Sequence, residues 1–184
     1  MFKEYCILLY WIVYYISYFL AGCTLKYGDN LLDEFDRPTQ SWIALALSGI
    51  FFAFLITNSE YDMVLFTSII IGVVLSGKVN RPQFSIGFII IAVGFIVRGV
   101  PTVTDWLEWM AILVMLMLAA ILDEKGNDWT EAQVNPTAAW LFKYRFSLKI
   151  TVLCISLIWP LFLFTAIGLW IFDAGYESAE IIRH

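Results

Sequence analysis

The sequence predicts an all-α, polytopic transmembrane helical bundle of about six spans, and three observations predict it. The 184 residues are 61% hydrophobic and only 15% charged, against about 45–50% apolar in an ordinary soluble domain. Their mean hydropathy is +0.79. The apolar residues fall in runs bounded by polar residues, proline and glycine, near 5–24, 41–57, 62–77, 83–98, 106–122 and 148–172. A helix needs ~20 residues to cross ~30 Å of hydrocarbon. Little chain is left for a separate extramembrane domain, so 1–184 reads as a single transmembrane domain of a multi-pass cell-membrane protein.

Span one, 5–24, carries Tyr10, Tyr14 and Tyr18 at four-residue spacing with Ser17 beside them. On a helix this is a hydroxyl stripe that suits the bundle interior better than lipid. It either lines a substrate groove at Tyr10 and Tyr14 or supplies interhelical hydrogen bonds and an aromatic belt. Leu20-Ala21-Gly22-Cys23 has the form of a lipid-attachment site. That reading needs Cys23 outside, against the charge count below, so the segment is read as a small-residue helix end. Lipid tails give helices no hydrophobic reason to associate, and small residues must let them pack closely. Span two offers Ala44, Ser48, Gly49 and Ala53, span three Gly72 and Ser76, and span four Gly87 and Gly94. Spans three and four are short. Joined as a re-entrant pair they would put Lys78, Asn80 and Arg81 at membrane depth, at a cost of several kcal/mol per charge, so two true spans are expected. Asn135-Pro136-Thr137 has the form of a helix start, and the mixed aromatic and basic residues after it predict an interfacial helix over 136–146. Pro160 should kink span six.

Orientation follows from lysine and arginine in alternate loops. Lys26, Arg37, Lys78, Arg81, Lys125, Lys143, Arg145 and Lys149 fall on one side, and Lys3, Arg98 and Arg183 on the other. The richer side is expected to be cytoplasmic, with both termini outside.

The only histidine is His184, and Cys6, Cys23 and Cys154 lie far apart in apolar stretches. Histidine acid/base chemistry, zinc clusters and a disulfide framework are therefore not expected. A net charge of −5 argues against nucleic acid, which wants a basic face. What remains is the cytoplasmic rim. Loop one holds Asp29, Asp33, Glu34, Asp36 and Arg37, loop three Lys78 and Arg81, and loop five Asp123, Glu124, Lys125 and Asp128. If loop one continues the first helix, Asp29, Asp33 and Asp36 share a face, and such like charges call for solvent or a cation. Mg²⁺ fits, because it takes carboxylate oxygens and bridges them to phosphates, and the loop-five cluster could hold another cation, so that Asp29 and Asp123 are further candidate metal ligands. Lys78 and Arg81 would then meet a diphosphate leaving group. The alternative is that the acidic loops merely solvate that surface. The outer Glu60, Asp62, Asp105 and Glu108 are read as solvated loop and helix-end charges.

Two aspartate-rich cytoplasmic loops with a basic loop between them resemble the UbiA-type intramembrane prenyltransferases. In their first motif, Asn-Asp-x-x-Asp-x-x-x-Asp, the central Asp-x-x-Asp corresponds to Asp33 and Asp36, with Leu32 in place of the Asn and Gln40 in place of the last Asp. Their second, Asp-x-x-x-Asp, corresponds to Glu124 through Asp128, with Glu leading. The similarity covers about 28–128, and the family's usual chain is longer, with more spans. It implies Asp33, Asp36, Glu124 and Asp128 as Mg²⁺ ligands and Lys78 and Arg81 as diphosphate ligands of a transferase acting on an isoprenoid or lipid diphosphate. The alternatives are a non-catalytic membrane subunit or assembly factor whose loops dock a partner protein, and a small-solute transporter. No Asp, Glu, Lys or Arg falls near the centre of any apolar run, which counts against ion-coupled transport.

Overall fold

The computed structural model describes residues 2–35, 37–79, 81–133, 142 and 144–181. Among them are seven helices and no strand: α1 Phe2–Asp33, α2 Pro38–Ile56, α3 Glu60–Leu75, α4 Phe84–Arg98, α5 Trp106–Gln133, α6 Phe146–Ile158 and α7 Phe162–Ile181. Three helical stretches are long and apolar enough to cross a membrane, Glu4–Asp33, Pro38–Ile56 and Trp106–Thr130. Phe84–Arg98 and Phe146–Ile158 are shorter apolar helices. Of the expected interfacial helix over 136–146, residues 136–141 and 143 lie outside the described residues, as does Asp36.

The chain forms two compact units. Unit 1 is Met1–Asn58, Arg81–Val100 and Ile167–His184. Its helices α1 and α2 are antiparallel. At one end the Tyr10 hydroxyl donates to Asn58 Oδ1 at 3.0 Å, midway Ser48 Oγ donates to the Ala21 carbonyl at 3.3 Å, and nearer the other end Gly28 meets Leu45. Helix α4 runs parallel to α2 on the small residues expected from spacing. Gly87 backs onto Gly49, Gly94 onto Ala53, and Arg98 Nη1 donates to the Phe54 carbonyl at 3.4 Å.

Helix α7 runs parallel to α1, and successive contacts advance together along both. The Tyr18 ring lies on Gly168, Gly22 meets the backbone of Phe172 and Tyr176, and Asn30 Nδ2 donates to the Ala179 carbonyl at 3.4 Å. The crossing is tightest where Gly22 and Gly175 face each other's helix, since a Cβ at either would fall on the carbonyl oxygen of Phe172 or Phe19. In unit 1, therefore, the carboxyl end of α7 lies at the Asn30 end of α1 and Tyr10 at the opposite end.

Unit 2 is Ser59–Asn80 and Pro101–Ala166. Helices α3 and α5 are parallel. Trp109 Nε1 donates to the Glu60 carbonyl at 3.3 Å, Gly72 meets Ala120, and Lys125 Nζ donates to the Ser76 carbonyl at 3.3 Å. Helix α6 runs back along α5, with Asp123 at its start and Glu108 accepting from Trp159 Nε1 at 2.9 Å at its end. The apolar stretch 148–172, expected as one kinked span, is two helices. Pro160 lacks the amide that would continue the ladder and disfavours a helical residue before it. Trp159 accordingly takes φ −117° and ψ 89°, and α7 begins two residues after the proline.

The fold changes the reading of one carboxylate and draws attention to another. Asp62, expected in solvent, is fully buried, its Oδ2 accepting from Ser59 Oγ at 2.8 Å and its Oδ1 from Thr165 Oγ1 at 2.9 Å. Ser59-x-x-Asp62 is a capping-box spacing at the start of α3, where the Ser59 hydroxyl accepts the Asp62 amide. Asp173, which lies beyond the expected sixth span, is 7% exposed inside α7.

Candidate functional site

Helix α5 continues past its apolar segment through Asp123-Glu124-Lys125-Gly126-Asn127-Asp128 without a break. Residues four apart share a helix face, so Glu124 and Asp128 stand one above the other. Each meets a cation from a different element of unit 2. Lys78, in the loop after α3, bonds Asp128 Oδ1 at 2.5 Å, and Arg145, in the entry to α6, reaches Glu124 Oε1 at 3.7 Å. Gly126 lies between them under the Phe142 ring, where a side chain would collide with it. The adjacent Lys125 is turned to the Ser76 carbonyl.

Asp123 points elsewhere. It is 2% exposed, and its Oδ1 and Oδ2 accept the backbone amides of Ser147 and Leu148 at 3.0 and 2.8 Å. The first amides of a helix have no partner within it. Arg145, at the N-cap position of α6, makes no side-chain cap bond. Asp123 supplies that cap from the neighbouring helix.

The charged contacts within unit 1 are looser. Asp33 lies 3.9 Å from Arg81 Nη2 with both side chains more than half exposed, a geometry worth little in water. Asp29 pairs with Lys26 at 3.3 Å, and the Lys26 ammonium also sits 5.3 Å from the Tyr176 ring centroid. Tyr14 and Tyr18 are buried and Tyr10 is exposed, the three rings contacting in sequence. Tyr14 stands 19 residues before Asp33 along α1, or ~28 Å at 1.5 Å per residue.

The structure thus brings loop three onto loop five in unit 2, through Lys78 and Asp128, and onto loop one in unit 1, through Arg81 and Asp33. Among the described residues no three histidine, cysteine, aspartate or glutamate side chains gather as a metal-binding group. Glu124 and Asp128, two of the expected Mg²⁺ ligands, are each paired with a cation, Arg145 and Lys78. Arg145 was not anticipated as a site residue, and Asp123, expected as a further Mg²⁺ ligand, instead caps α6. Neither role carries a local sequence signal, because both depend on where α6 meets α5.

No protein-family model, curated protein or solved structure matches the chain.

Proposed function

We propose that the chain is a cell-membrane protein of seven crossings, with its amino end outside and its carboxyl end in the cytoplasm, and that its cytoplasmic rim is the Mg²⁺-dependent site of a transferase acting on an isoprenoid or lipid diphosphate. Alternation along the chain requires α1, α3, α5 and α7 to run one way and α2, α4 and α6 the other. The directions found inside each unit agree: α1 with α7, α2 with α4, α3 with α5, and α6 against α5. Seven crossings also move Arg183 to the richer side. Nine lysines and arginines then face two, Lys3 and Arg98, in better accord with the positive-inside rule than eight facing three. Fused after the last residue, green fluorescent protein is expected to fluoresce and alkaline phosphatase to be inactive. The reverse pattern would restore six spans.

The observation that carries the transferase reading is the contact of Lys78 with Asp128. It places a base expected to hold diphosphate on a carboxylate expected to hold metal. Bound there, Mg²⁺ would neutralise diphosphate charge. Lys78 would hold the departing diphosphate as its carbon–oxygen electron pair leaves with it, while an acceptor nucleophile bonds to the allylic carbon and gives up a proton. Purified protein in detergent is expected to bind inorganic pyrophosphate in a Mg²⁺-dependent manner by calorimetry. Glu124→Gln and Asp128→Asn should each weaken binding by about tenfold or more, the loss expected for one charge-assisted contact. No binding by the parent protein would leave the non-catalytic membrane subunit, with the rim pairs as structural ties and a partner protein on the loops.

A second reading, small-solute transport, gains support from Asp173. A buried carboxylate inside a membrane helix is a candidate coupling site, and α7 supplies what the six apolar runs lacked. Cation flux in proteoliposomes, abolished by Asp173→Asn, would favour it.

A further inference from the structure

We infer that the end of unit 2 opposite Lys78 and Asp128 binds a small organic cation, an alkylammonium ion, in a cavity with aromatic walls and a carboxylate rim. The cavity measures about 220 Å³, and Tyr61 and Trp109 line it together with Glu60, Asp105 and Glu108. Val64 and Ile112 are its buried lining, while Asp105 and Glu108 are exposed at its opening. On α5, Glu108 precedes Asp128 by 20 residues, or ~30 Å at 1.5 Å per residue. The site is therefore separate from the rim and does not depend on the transferase reading.

Helix-end roles account for part of this charge. Asp105 Oδ1 accepts the Leu107 and Glu108 amides of the first turn of α5 at 2.8 and 3.2 Å, and acids are favoured at a helix N-terminus. They do not account for a cavity with aromatic walls. Glu60 is held from outside its own helix, by the Thr104 amide and hydroxyl at 2.7 and 2.9 Å, and Glu108 by the Trp159 indole at 2.9 Å. All of these donors are neutral. Among the described residues no lysine or arginine pairs with Glu60, Asp105 or Glu108, whereas Glu124 and Asp128 at the other end of α5 each meet one. Like charges around one cavity raise each other's cost, and a cation relieves it. Asp105 Oδ2 and Glu108 Oε1 take no donor among the described residues, which leaves them to the N–H groups of a ligand. The three carboxylates do not gather as a metal-binding group, so they suit an ion with a body of its own. Aromatic faces attract an ammonium group within ~6 Å of the ring centroid and cover its alkyl chain as well. Cavities for drug-sized ligands run to ~300–1,000 Å³, so this one limits the cation to a short chain.

The test is calorimetric titration of the full-length protein in detergent with butylammonium chloride, and with sodium chloride and butanol at the same concentrations. Butylammonium is expected to bind and the other two are not, because the sodium ion lacks the alkyl body and butanol lacks the charge. Glu108→Gln and Asp105→Asn each remove a charge but keep an oxygen for the Trp159 indole and for the α5 amides, so both should fold with thermal midpoints near the parent's. Each is expected to bind butylammonium about tenfold more weakly. Tyr61→Leu should weaken binding several-fold by removing one ring. No butylammonium binding by the parent, equal binding of butanol or sodium ion, or affinity within about twofold of the parent's in both carboxylate variants would overturn the site.

Discussion

Gly175→Ala and Gly22→Ala are expected to be the most damaging small substitutions in unit 1, each lowering stability by ~3 kcal/mol, at the upper end of ordinary overpacking costs. The reason is reciprocal. At the α1–α7 crossing a methyl at residue 22 falls on the Phe172 carbonyl oxygen, and one at residue 175 falls on the Phe19 carbonyl oxygen. Neither obstacle is a flexible side-chain tip, so relief requires the helices to separate. Separation would loosen the contacts on both flanks, Tyr18 against Gly168 and Asn30 with Ala179. Gly87→Ala is the internal control, because the nearest atom to a methyl there is the Leu45 carbonyl oxygen at 3.7 Å. Alanine should be neutral or slightly stabilising at that position, since glycine is the poorer helix former by ~1 kcal/mol. Thermal unfolding in detergent should rank the three variants in that order. Equal midpoints for Gly87→Ala and Gly175→Ala would mean that α1 and α7 do not cross so closely.

The small-residue contact faces of α2, α3 and α4, though not their pairing, were legible in the sequence for a reason that also explains what was missed. Gly49, Ala53, Gly72, Gly87 and Gly94 all lie inside strongly apolar runs, where small residues have few purposes other than close packing. Gly22 ends a run and Gly175 follows one, so neither drew the same inference. The length of α7 was hidden for a related reason. Asp173, Glu177 and Glu180 lower the hydropathy of its second half, and only packing on α1 shows that the helix continues. Pro160 announced a disturbance, but whether a proline bends a helix or ends it depends on what receives the next segment, here Tyr61 against Phe162 and Asp62 bonded to Thr165. At the rim, the charge pattern was enough to put Lys78 and Asp128 on one side. It could not distinguish Asp123 from Glu124, neighbours of similar chemistry that differ by 100° around α5 and so face different partners.

Asp123→Ala is expected to cost ~3 kcal/mol, and to do so in the absence of any metal. Helix α6 is preceded by Arg145 at its N-cap position, whose side chain is a donor and cannot accept from the exposed amides of the first turn. The Asp123 carboxylate takes two of them, from Ser147 and Leu148, in a setting where the acid is 2% and Leu148 is 3% exposed. Loss of an N-cap costs ~0.5–2 kcal/mol in a local setting, and a charged acceptor is worth ~1.5–3 kcal/mol. With little water available to replace the carboxylate, the upper part of that range applies. Asp123→Asn should fall between parent and alanine. Its amide keeps one acceptor oxygen but presents a donor to the other backbone amide, and it gives up the negative charge favoured at a helix N-terminus. Measured as thermal midpoints with chelator and then with Mg²⁺, the three proteins should keep the order parent, Asn, Ala under both conditions. If the midpoints coincide in chelator and separate only with Mg²⁺, the carboxylate serves the metal and α6 must be capped by other means.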